Sequence, residues 1–199
     1  MKALQLQELI GPSALTYVDV DEPTGDDLVH VNVQAAGVNF PDLLAMRGQY
    51  QVRTEPPFIP GAEVAGIVRS APAASGWRPG DRVVALGETG GYAERVAVPA
   101  RVVVRAPERL DAAQSVALVA NHQTAYFALV LRGALQPGET VVVLGAAGGL
   151  GSASTQVAAA SGARVIAVVH RDGVEEFVRS TGADEVVPFV RDGSVGCTS

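Results

Sequence analysis

From Leu28 the chain alternates. Val29, Val31 and Val33 are apolar and His30, Asn32 and Gln34 between them are polar, the period of two that marks a strand with one buried face. His30 thus belongs to the wet side of that strand. The following NFPDLLAMRG places Pro41 at a first helical position and Gly48 just past a last turn, which predicts a short helix over Pro41–Arg47. Further strands are expected at Glu63–Ser70, Arg82–Ala85, Glu94–Val98 and Arg101–Arg105, separated by turns such as Arg78-Pro79-Gly80-Asp81. The first ~110 residues therefore read as a strand-rich unit with few helices.

The texture changes at Asp111. Asp-Ala-Ala-Gln (111–114) fits a capping box, and the Ala, Leu and Val stretch to Arg132 predicts two helical pieces broken near Asn121-His122. A turn at Gln136-Pro137-Gly138-Glu139 leads into an apolar run, Thr140–Leu144, then a glycine cluster, an Ala-rich helical stretch ended by Gly162, and a second apolar run, Arg164–Val169. This is one βαβ unit, and its continuous apolar strands imply a parallel sheet buried on both faces. A third strand is expected at Glu185–Pro188.

Composition narrows the chemistry. With 199 residues, 48% of them hydrophobic, 18% charged and a net charge of −6, the chain has the make-up of a globular protein with a sizeable core. No apolar run approaches the roughly 18 residues of a membrane span. The start, MKALQLQELIGP, lacks a secretory pattern, so a cytoplasmic protein is expected. The single cysteine, Cys197, excludes an intramolecular disulfide and a thiolate-rich zinc site. Fourteen arginines accompany one lysine, Lys2, which leaves no interior lysine for Schiff-base chemistry or a P-loop. The arginines form no basic stripe, so a small molecule is a better partner than nucleic acid, and no membrane partner is indicated.

Gly145-x-x-Gly148-x-x-Gly151, with Gly149 in addition, follows a predicted strand and opens a predicted helix. In that context the glycines allow a tight turn and close approach of backbone to a pyrophosphate, which the helix N-terminus then attracts. The alternative is that they only permit close helix–strand packing. Cofactor choice is read about twenty residues on, at the end of the second strand, where an acid would hold a ribose 2′-hydroxyl. There the chain has His170 and Arg171, and Arg171 suits a 2′-phosphate, favouring NADPH over NADH. Asp172 keeps NADH open, since a shift of two residues would place an acid at the ribose.

Together Gly37-Val38-Asn39-Phe40-x-Asp42, Arg47-Gly48-x-Tyr50, Pro60-Gly61-x-Glu63-x-x-Gly66, Gly80-Asp81-Arg82-Val83, Gly91-Tyr92-Ala93-Glu94 and Ala147-Gly148-Gly149-Leu150-Gly151 form an ordered series. It resembles the zinc-independent quinone oxidoreductase branch of the medium-chain dehydrogenase/reductase superfamily, from Met1 to about Phe189. The resemblance implies an α/β protein: a strand-rich GroES-like domain over residues 1–115, then an incomplete Rossmann domain, doubly wound and parallel, over 116–190. Zinc-dependent relatives carry a Cys where Asn39 stands and a His where Ala62 stands, which implies no zinc here. Glu63 is then expected to make a structural hydrogen bond or ion pair.

In that family the resemblance implies a reduced nicotinamide cofactor and a quinone or enone near Asn39 and Tyr50, the candidate catalytic residues. Tyr50 would donate to the acceptor carbonyl, or pack over the cleft; Asn39 would contribute to the site, or only close a turn. Thr124 is similar to the residue at the nicotinamide end. Gly145, Gly148, Gly149, Leu150, Gly151, His170 and Arg171 complete the candidate cofactor site. His122, Trp77 and Tyr92 are expected to be structural. NADPH-specific relatives often add a Lys for the 2′-phosphate; none follows here, so Arg171 would act nearly alone, helped by His170.

Only three strands follow Arg132, whereas a complete dinucleotide domain needs about six. The segment 191–199 is polar and aperiodic and is expected to be disordered or out of frame. The family pairs as homodimers through later strands, so that interface is expected to be missing. An NADPH-dependent reductase therefore stands against a truncated nucleotide-binding or interaction protein without turnover.

Overall fold

The computed structural model describes residues 1–189. The chain divides into two compact units, Met1–Val119 and the part from Ala120 onward.

In the first unit β1 (Lys2–Leu6) pairs antiparallel with β2 (Leu15–Asp19), setting Lys2 opposite Asp19 and Leu6 opposite Leu15. Next come β3 (Val29–Ala36), α1 (Phe40–Met46), β4 (Glu63–Ser70), β5 (Arg82–Leu86), β6 (Arg95–Val98), β7 (Val103–Arg105) and α2 (Ala112–Ala117). The five later strands form one antiparallel sheet in the order β6-β3-β4-β5-β7. Val29 and Val31 of β3, Val68 of β4 and Val83 of β5 are almost fully buried and pack with Val96 and Val98 of β6. Burial of each is worth roughly 1.5–3 kcal/mol. His30 sits between two of these valines on the opposite face, half-buried, with Nε2 2.9 Å from the Gly25 carbonyl oxygen. Asp111 caps α2 as the sequence predicts: its carboxylate accepts from the Gln114 N–H at 2.7 Å, and the Gln114 side chain accepts from the Asp111 N–H at 3.1 Å.

The second unit runs α3 (Ala120–Tyr126), continued by π-helical turns over Phe127–Arg132, then β8 (Thr140–Leu144), α4 (Gly149–Ala160), β9 (Arg164–Val169), α5 (Glu175–Ser180) and β10 (Glu185–Pro188). Its sheet is parallel, ordered β10-β9-β8, with Thr140 opposite Arg164 and Glu185 opposite Ile166. Val143, Val165, Ala167 and Val169 pack with Ala158 of α4 and Val178 of α5.

Two expectations are corrected. The helical break falls at Leu118–Val119, where N–H groups bond three residues back to Ser115 and Val116 and end α2; Asn121 and His122 lie inside α3. Nor is the sheet buried on both faces. Val143 faces the core, but Val142 and Leu144 are 57% and 75% exposed, because α4 covers one face of β8 and no described element covers the other. Among the described residues no helix is long and apolar enough to cross a membrane. The expectation for 191–199 lies outside the described residues.

Candidate functional site

In the second unit, β8 hands over to Gly145, whose φ of +66° is a left-handed conformation that favours glycine. The Gly148 N–H donates to the Gly145 carbonyl at 2.9 Å, and Gly148 then caps α4. Gly151 is required by space: a Cβ there would stand 2.2 Å from the Gly145 oxygen and 2.8 Å from the Ala146 Cα. Among the described residues the first helical turn at Gly149, Leu150 and Gly151 has no acidic residue and no side-chain cap, so the positive end of the helix dipole faces no fixed carboxylate there. This is a cradle for an anion such as a pyrophosphate.

His170 and Arg171 follow β9, both exposed, and Arg171 enters no ion pair among the described residues. A cleft of about 260 Å³ opens at the strand ends between Leu144, Gly145, Val168, Val169, His170 and Phe189. Gly145 and His170 thus share one cavity. Phe189, whose N–H donates to the Val169 carbonyl at 2.6 Å, was not legible as a site residue. The usable signal was its place at the carboxyl end of a third parallel strand, where open sheets carry ligands. Thr124 is exposed on α3, and on the same helix the Asn121 side chain packs against Gly149. His122 Nδ1 is buried without a hydrogen bond among the described residues.

In the first unit Asn39 caps α1. Its N–H donates to Asp42 Oδ2 at 2.8 Å and its Nδ2 donates to Glu63 Oε1 at 2.6 Å. Asp42 and Glu63 are both buried, 6% and 2% exposed, so two inaccessible carboxylates converge on one half-buried asparagine. The Tyr92 hydroxyl is buried beside them and, among the described residues, makes no well-formed hydrogen bond. Its burial, followed by the negative charges of Asp42 and Glu63, pushes its pKa far above the ordinary phenol value. Tyr50 lies half-buried in a bend beyond α1. Among the described residues no three His, Cys, Asp or Glu side chains are grouped to hold a metal ion.

The model of the alcohol dehydrogenase GroES-like domain matches residues 25–108. Over 194 residues the chain is 35% identical to the quinone oxidoreductase-like protein 2 homolog of Nematostella vectensis, covering 96% of this chain and 53% of that protein. A probable oxidoreductase from Mycobacterium abscessus superposes with a TM-score of 0.93 at 56% identity, over 96% of this chain and 62% of that one. The quinone oxidoreductase of Thermus thermophilus, solved also as its complex with NADPH, superposes at 0.83 with 42% identity, over 94% and 59%. Residues 25–108 thus match a GroES-like domain, and over most of its length the chain is similar to quinone oxidoreductases and quinone oxidoreductase-like proteins. It spans little more than half the length of such relatives, 53% of the first and 62% of the second. The strand-rich first unit has the GroES-like fold. The second carries, in its described residues, three parallel strands of the Rossmann fold with the glycine turn at its usual place after the first.

Proposed function

We propose that the chain works as an NADPH-dependent, zinc-independent reductase that delivers hydride to a quinone or an α,β-unsaturated carbonyl. The observation that carries this reading is the uncapped N-terminus of α4 behind Gly145, Gly148 and Gly151, at the mouth of a cleft shared with His170. The residues fit the cofactor: no Cβ fills the cradle, no carboxylate competes in the first turn of α4, and Arg171 is available as a cation. The N–H groups of Gly149, Leu150 and Gly151 would hold the pyrophosphate, Arg171 with His170 the 2′-phosphate, and Thr124 the nicotinamide end. Bound NADPH supplies the hydride. Asn39 and Tyr50 orient the acceptor and hydrogen-bond its carbonyl. Positions 39 and 62 carry an amide and a methyl group, neither of which is a zinc ligand, which supports chemistry without zinc. In this reading residues 1–115 form the substrate domain and 116–190 the first half of the cofactor domain.

A second reading, a nucleotide-binding protein without turnover, is favoured by the three-stranded sheet of the described second unit. One experiment separates the two. NADPH titration by nicotinamide fluorescence is combined with NADPH oxidation in the presence of 1,4-benzoquinone. Saturable binding with oxidation supports the reductase, and saturable binding without oxidation rejects it in favour of the second reading.

A further inference from the structure

An asparagine that caps a helix needs only the first turn of that helix. Asn39 has more. Besides its bond to Asp42 within α1, its Nδ2 donates at 2.6 Å to Glu63, which lies 24 residues on, at the start of β4, and is 2% exposed. A carboxylate is buried only at a cost that hydrogen bonds must offset. The backbone makes room for this one: a Cβ at Gly37 would stand 1.9 Å from Glu63 Oε1. Gly37 has no left-handed φ, so space and not conformation calls for glycine there. Meanwhile Val38 and Phe40, on either side of Asn39, are 79% and 67% exposed, so the anchored amide sits on an accessible edge.

We infer that Glu63 is a positioning residue for Asn39, holding its amide nitrogen so that the second N–H donates to the carbonyl of a quinone or enone. The ligand class rests on the reductase reading. A half-turn of an asparagine amide exchanges its oxygen and nitrogen; as a helix cap Asn39 turns its oxygen toward the Asp42 N–H, which leaves its nitrogen to Glu63. A carboxylate accepts only from the nitrogen, so Glu63 takes one of its two N–H groups and holds the other in place to donate. The amide then recognises the carbonyl in a single orientation.

The test uses the full chain, ¹⁵N-labelled, with the Asn39 side-chain signal assigned by its loss in Asn39→Asp. On titration with 1,4-naphthoquinone the wild-type Asn39 signal moves saturably. Glu63→Ala shifts that signal before any quinone is added and weakens quinone binding by about tenfold. Glu63→Gln, which retains an accepting oxygen, restores most of both. Gly37→Ala, which displaces the carboxylate but keeps it, reproduces Glu63→Ala and decides the matter alone if Glu63→Ala does not fold. The inference is overturned if Glu63→Ala and Gly37→Ala leave the Asn39 signal and the titration unchanged, if Glu63→Gln falls as far as Glu63→Ala, or if quinone never moves Asn39. NADPH oxidation is read in parallel. Quinone binding through Asn39 without oxidation rejects the reductase reading and leaves the role of Glu63 standing; oxidation with an unaltered Glu63→Ala does the reverse.

Discussion

Gly151 lies so close to Gly145 that a Cβ on it would come within 2.2 Å of the Gly145 carbonyl oxygen, so the turn after β8 and the first turn of α4 are packed backbone to backbone. Neither partner is a flexible side chain that can swing away. Gly151→Ala must push α4 off the turn, and overpacking of this kind costs about 1–3 kcal/mol. Gly148→Ala, where the nearest atom is that same oxygen at 3.3 Å, costs less. Urea unfolding of the two variants checks the order, and, if the start of α4 holds the pyrophosphate as proposed, NADPH titration should show Gly151→Ala as the weaker binder, because displacing α4 moves its first N–H groups.

Arg171 is exposed, without an ion pair among the described residues, just beyond β9. If it clamps a 2′-phosphate, Arg171→Ala removes charge-assisted hydrogen bonds worth roughly 1.5–3 kcal/mol, a tenfold to hundredfold loss of NADPH affinity. NADH lacks that phosphate and should bind the variant as it binds the wild type. Equal loss for both nucleotides in a fluorescence titration rejects the clamp.

How much of this was legible follows from the range over which each signal acts. Strands β4, β8, β9 and β10 begin and end where the apolar pattern and its flanking turns place them. Strands β1 and β2 were not foreseen, because KALQL and LTYVD are five residues each and hold their conformation by pairing with one another across a reversal of the chain. Helix α5 escaped as well: it is six residues long and its N-cap, Val174, makes no side-chain bond, so no start signal marks it. In the site, the glycine turn was readable because its logic is local. The bond from Asn39 to Glu63 joins residues 24 apart and emerges only when β4 is laid beside the start of α1. For Phe189 the pattern marked a strand end but could not bring three strand ends to one cleft.

Glu22, just beyond β2, accepts hydrogen bonds from Arg69 of β4 and, at 2.6 Å, from Arg95 of β6. The hydrogen bond from Arg69, then the positive charges of Arg69 and Arg95, outweigh desolvation and hold its pKa below the ordinary 4.5. A carboxylate depressed on folding stabilises above its unfolded pKa and loses that contribution as pH falls through its folded value. Glu22→Gln should therefore melt below the wild type at neutral pH, with the gap closing as pH drops below 4.5. Added salt should narrow it too, since the group is exposed. A gap that widens in acid would contradict the assignment.

The outer side of β8 yields the last prediction. TVVVL carries no charge and no proline, two devices by which exposed sheet edges discourage pairing with other chains. Among the described residues β8 pairs only with β9, and Val142 and Leu144 show 57% and 75% of their surface. Leu150, Phe127 and Leu131 are also exposed in the same unit. An apolar strand with an open ladder is a template for a further strand, so the chain should self-associate with rising concentration and temperature. Leu144→Lys places a charge where the side chain is already mostly in water. It should suppress light scattering on heating while moving the unfolding midpoint by no more than a few degrees, since surface changes are usually within about 0.5 kcal/mol. Val143→Lys, one residue earlier, points into the core, where Val143 is 7% exposed, and should unfold the second unit instead. The opposite fates of two adjacent lysines would show that β8 has one covered face and one open one.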